Sequence, residues 1–89
     1  MRVWVKKKKM VANRMNEIYS LTTIELRTVL LLANGKLNSY NDFREFVYHN
    51  RIICNDAIKN KVMEIKKKYH LPIKIYKYGI KMEGIVYIE

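Results

Sequence analysis

The densest chemistry in the chain lies in residues 55–69, where Lys59, Asn60, Lys61, Met63, Lys66 and Lys67 sit among regularly spaced apolar residues. Ile58, Val62, Ile65 and Tyr69 recur at helical spacing, which lines them up on one face and aims them into a core. Burying that face turns Lys59, Asn60, Met63 and Lys67 outward, with Lys61, Lys66 and Lys68 on the flanks. Lysine pairs with phosphate, and a carboxamide bonds an adenine edge through both of its polar atoms. A helix anchored on one side and carrying both groups on the other suits a DNA major groove. The same pattern also describes an ordinary amphipathic helix with a solvated charged face, and this segment alone leaves both readings open.

Other chemistry finds few partners in the sequence. His49 and His70 have no Ser or Cys at a spacing that suggests a catalytic triad. Together with Cys54 they make three Cys and His residues, fewer than a closed structural zinc site uses, so no metal is expected. His70, beside a helix end, reads instead as a partner for the helix dipole. No Gly-x-Gly-x-x-Gly motif or P-loop occurs, and the eight carboxylates are scattered among lysines. The chain is therefore expected to be no enzyme and to need no cofactor.

Composition sets the frame for that helix. Eighty-nine residues make one domain, 1–89, and the 49% apolar content is enough for a single core. The longest apolar run, residues 29–33, is far too short to span a bilayer, and nothing resembles a secretory signal. A lone cysteine fits a reducing cytoplasm.

Net charge is +10, from 18 basic and 8 acidic residues. Residues 1–21 carry six basic groups against one acidic, and residues 51–72 six against two, while residues 22–50 balance at three each. A polyanion is the economical partner, because binding releases its condensed counterions. A membrane surface is not expected, since no segment joins a basic face to a Trp, Phe and Leu stripe.

The remaining elements must position the basic helix. Short strands are expected near residues 2–6, 9–12 and 16–20, with Asn13 and Arg14 as a turn. The lysines at 6–9 are either a solvated edge that discourages sheet pairing or a phosphate-binding arm. Thr22 and Glu25 form a capping box for a first helix, with Leu21 and Leu26 as its hydrophobic staple. Leu26, Val29, Leu30 and Ala33 follow one face, Leu31 and Leu32 widen it, and Asn34-Gly35 supplies the stop. Ser39 caps a second helix through about Tyr48, with Phe43, Phe46 and Val47 inward. Asn55 or Asp56 is expected to cap the third helix, and Leu71-Pro72 to end it. Residues 73–77 and 85–88 then read as the two strands of a hairpin, with Gly79 and Gly84 bracketing their connection.

In this order, the motifs resemble the winged helix-turn-helix DNA-binding domain of OmpR/PhoB-class response regulators. Ile18-Tyr-Ser-Leu-Thr-Thr-Ile-Glu-Leu26 is similar to that family's strand entering Leu-Thr-x-x-Glu-x-x-Leu-Leu. Ser39 and Phe43-Arg-Glu-Phe-Val47 are similar to its second helix, and Ile58 to Tyr69 to its recognition helix. Ile73-Lys-Ile-Tyr-Lys77 and Gly84-Ile-Val-Tyr-Ile88 look like its wing. Glu64 stands where the family often carries arginine, the connection from Gly79 to Glu83 looks longer than usual, and a stand-alone module without the family's receiver domain is expected.

The resemblance implies an α+β fold of short N-terminal strands, three helices and a C-terminal β-hairpin wing. It further implies Lys59, Asn60, Met63 and Lys67 in the major groove, Lys61 and Lys66 on flanking phosphates, and Lys77 on the wing reaching adjacent DNA. The expected function is a sequence-specific regulator of transcription that binds double-stranded DNA, as a homodimer or in tandem. Its small size suits a phage, plasmid or other mobile element. Two other readings stay open: a module that docks on a protein such as host RNA polymerase through Tyr76, Tyr78, Tyr87, Met63 and Met82, and RNA binding by basic and tyrosine side chains.

Overall fold

Each of the first two helices starts at a reciprocal cap. In the computed structural model, which describes residues 2–12 and 18–89, Thr22 Oγ1 accepts from the Glu25 amide at 3.2 Å. The Glu25 carboxylate accepts from the Thr22 amide at 2.9 Å, which fixes the start of α1, Thr23–Leu32. Ser39 and Asp42 form a second such box ahead of α2, Tyr40–Phe46. The Asp42 half of that box was not foreseen from Ser39 alone. The third helix, α3, spans Asn55–Tyr69 as its apolar spacing predicts, with Ile58, Val62, Ile65 and Tyr69 all buried.

The strands divide into two sheets. Strands β1 (Arg2–Lys6), β2 (Lys9–Ala12) and β3 (Ile18–Ser20) form an antiparallel run. The turn expected at Asn13 and Arg14 lies outside the described residues. After α3, β4 (Ile73–Tyr76) pairs with β5 (Gly79–Met82) in a two-stranded wing. Strand β6 (Ile85–Ile88) leaves the wing and pairs in parallel with β1, giving the order β3-β2-β1-β6.

The hairpin expected between 73–77 and 85–88 is therefore corrected. Its second strand is residues 79–82, the stretch read as a long connection because it opens on glycine. Gly79 is there for contact: a Cβ on it would lie 2.5 Å from the Asn38 carbonyl oxygen. That close approach lets Asn38 and Ile80 exchange backbone hydrogen bonds of 2.9 and 2.8 Å. Gly84, at φ +121°, turns the chain away from the wing toward β1.

One cluster of buried side chains ties both sheets to the helices. Val3, Val5 and Met10 enter it from the N-terminal sheet, Ile73, Ile80 and Met82 from the wing. Several helix details depart from expectation. On α1 the fully buried positions are Glu25, Thr28, Val29 and Leu32, while Leu26 and Leu30 are only half-buried. On α2, Tyr40 and Phe43 face inward and the helix ends at Phe46, earlier than Tyr48. Phe46 points outward, 47% exposed, because Val47 takes the buried position one turn after Phe43.

Cys54, rather than Asn55 or Asp56, is the N-cap of α3, and its side chain makes no capping bond. Asn55 instead accepts from the Arg44 guanidinium. His70 ends α3 in the left-handed conformation, at φ 54° and ψ 42°, ahead of Pro72. Its part in the helix stop is thus made by the backbone. The fold is an α+β winged helix-turn-helix, as the motifs imply.

Candidate nucleic-acid interface

The presentation of α3 follows from how its two ends are held. At the N-terminal end, Arg44 of α2 donates from Nε to the Ile53 carbonyl at 2.7 Å and reaches Asn55 with its terminal nitrogen. At the C-terminal end, Tyr69 donates to Glu25 Oε1 at 2.8 Å, and Lys68 Nζ lies 3.2 Å from Oε2. The Tyr69 ring also meets Tyr19 edge-on, with centroids 4.9 Å apart. A helix fixed at both ends and along its apolar seam can present its opposite side in one orientation.

Glu25 is the joint of this arrangement and is only 2% exposed. Burial alone raises its pKa. Bonds from the Thr22 amide, the Tyr69 hydroxyl and the Lys68 ammonium outweigh that, and hold the carboxyl below its ordinary value. The Tyr69 hydroxyl is pushed up, by burial and then by donating to Glu25. Lys68 is raised by its bonds to Tyr69 and Glu25. The ionised, fully bonded carboxylate is the form this site favours.

On the presented side, Lys59, Met63, Lys66 and Lys67 line a groove of about 380 Å³ with Lys74 and Ile75 of β4. Four lysines thus line one concavity, and no Asp or Glu lines it. None of the four forms an ion pair among the described residues. Lys74 was not foreseen as a site residue. Its signal was the alternation of residues 73–76, which sends Ile73 inward and Lys74 outward.

The other candidates are distributed around this groove. Asn60 is exposed on the outer side of α3 and does not line the concavity. Lys61 lies on the far flank, 3.4 Å from Glu64, so the carboxylate that stands out in this helix is met by a neighbouring ammonium group. Lys77 is at the turn between β4 and β5, its Nζ 5.5 Å from the centre of the Tyr78 ring. The wing that carries it is braced by Tyr40, whose hydroxyl donates to the Tyr76 carbonyl at 3.1 Å.

The tyrosine and methionine surface expected for a protein partner does not assemble. Met82 is buried at 2% exposure, and Tyr87 belongs to the N-terminal sheet, where it stacks on Trp4. Among the described residues no group of three or more His, Cys, Asp or Glu side chains is placed to hold a metal ion. No described helix is long and apolar enough to cross a membrane.

Comparison with solved structures finds the same architecture in the DNA-binding domain of Bacillus subtilis CssR. The TM-score is 0.70 at 22% sequence identity, over 84% of this chain and 90% of that domain. No protein-family model matches the chain, and no curated protein matches it in sequence. The class is thus defined at the level of fold, a winged helix-turn-helix similar to that domain.

Proposed function

We propose that this chain binds double-stranded DNA, laying α3 in the major groove and the β4–β5 wing on flanking DNA, as a sequence-specific regulator of transcription. The observation that carries the reading is the groove shared by α3 and β4, with four lysines around Met63 and no carboxylate. Phosphates on the two sides of a major groove meet ammonium groups on both the helix and the wing.

In this reading Asn60, Met63, Lys59 and Lys67 reach base edges, Asn60 to adenine and Met63 to a thymine methyl. Lys61, Lys66 and Lys74 meet phosphates, and Lys77 at the wing tip reaches adjacent DNA. The likeness to the CssR DNA-binding domain supports this use of the fold. One such module covers little DNA, so pairing on repeated half-sites is the expected mode, in the cytoplasm and without a cofactor.

Selection of bound fragments from random duplex DNA tests the proposal. A consensus bound at least a hundredfold more tightly than unrelated duplex is the expected result. Equal affinity for every duplex would remove the regulator and leave a nonspecific binder.

A further inference from the structure

The lysines at 6–9, which the α3 groove does not use, border a second surface. Strand register brings Tyr87, Trp4, Val11 and Ile18 into one row across β6, β1, β2 and β3. This row lies on the sheet face away from the core, since Val3, Val5 and Met10 occupy the other face. Ile18 is 68% exposed and Tyr87 39%. Trp4, Val11, Ile18 and the four lysines, with Glu89, line a cleft of about 630 Å³.

Lys6 pairs with Lys9 at the end of the β1–β2 hairpin, two residues along the strands from the Trp4–Val11 pair and so on the same face of the sheet. Lys6, Lys7 and Lys9 form no ion pair among the described residues, and Lys8 donates to Thr23 Oγ1 at 3.1 Å. Glu89 supplies the one carboxylate side chain on the rim. An apolar floor beside a basic rim complements a ligand that is both apolar and acidic.

We infer that this sheet face docks an acidic amphipathic segment of another protein, with apolar side chains on the Trp4–Val11–Ile18 row and carboxylates on Lys6, Lys7 and Lys9. The ring geometry favours a peptide over an unpaired nucleic-acid strand. Trp4 and Tyr87 each have one face covered by the other, at 5.5 Å and 17°, and the rest of the row, Val11 and Ile18, is aliphatic and offers no ring for a base to stack on. Charge disfavours a second copy, because two chains of net charge +10 would bring their lysine rims together. Tyr19, on the opposite face of the sheet, packs on Tyr69 of α3, so this surface stands apart from the α3 groove and does not depend on the DNA reading.

Trp4 is the chain's single tryptophan and reports occupancy directly. Its fluorescence is titrated with a synthetic helical peptide bearing Leu and Phe on one face and Glu on the other. Parallel titrations use polyglutamate and single-stranded oligothymidylate, and sedimentation of the free protein tests self-association. The expected result is a saturable change in emission with the amphipathic peptide, retained when duplex DNA is present. Affinity should fall at least tenfold in the Lys6→Glu/Lys9→Glu double variant and severalfold in Ile18→Ser, whose exposed site leaves the fold intact by circular dichroism. No saturable change, equal binding of polyglutamate, tighter binding of oligothymidylate, or self-association that accounts for the Trp4 signal would each overturn the inference.

Discussion

Glu25 does two jobs with one carboxylate: it closes the capping box of α1 and receives the end of α3 through Tyr69 and Lys68. Removing it in Glu25→Ala leaves the buried Tyr69 hydroxyl without its acceptor, at a cost of about 1–3 kcal/mol, and opens the capping box at the amide of exposed Thr22. Because its pKa is lowered on folding, its ionised form stabilises the fold at neutral pH. That contribution is present above the unfolded pKa and is lost as pH falls through the folded pKa, which lies below the ordinary value for Glu. Denaturant midpoints measured from pH 7 to pH 3 should fall for the wild type and fall less steeply for Glu25→Gln. Identical slopes would show that Glu25 is not the coupled group. The capping half of this role was legible from Thr22-x-x-Glu25, but the contact with Tyr69 joins residues far apart in the chain and has no local signature.

The helices were the legible elements because their signals are local. Caps at Thr22 and Ser39 and the seam from Ile58 to Tyr69 are written in consecutive residues, and α3 takes the bounds they predict. Strand partners are chosen over distance, and there the reading went astray. Residues 79–82 looked like a connection because Gly79 carries no side chain, yet the missing Cβ is what admits the Asn38 carbonyl. Phe46 looked like core by type and faces solvent because Val47, one turn after Phe43, takes the buried position. Gly79→Ala is therefore predicted to force the wing away from Asn38 and to destabilise the fold by about 1–3 kcal/mol. The check is amide exchange: Asn38 and Ile80 should lose protection well ahead of α3. Unchanged protection at both amides would show that the close approach does not hold the wing.

Across the whole molecule, positive charge is gathered on two separate surfaces, the α3–β4 groove and the β1–β2 lysines, with the core between them. Charge counts along the sequence already pointed to both ends of this distribution. They did not show that Lys74 joins the helix lysines, or that Asn60 stands outside the concavity they line. Counterion release makes the groove's role measurable, because removing one lysine that neutralises a phosphate lowers the dependence of log K on log salt by about 0.9. The direct test is duplex-DNA affinity as a function of salt for the wild type and for Lys59→Ala, Lys66→Ala, Lys67→Ala and Lys74→Ala. DNA binding through this groove predicts a steep slope that Lys66→Ala and Lys74→Ala, at phosphate contacts, each reduce by about 0.9, while Lys59→Ala and Lys67→Ala, at base edges, weaken the selected site more than unrelated duplex. Slopes and affinities unchanged in all four variants would contradict it.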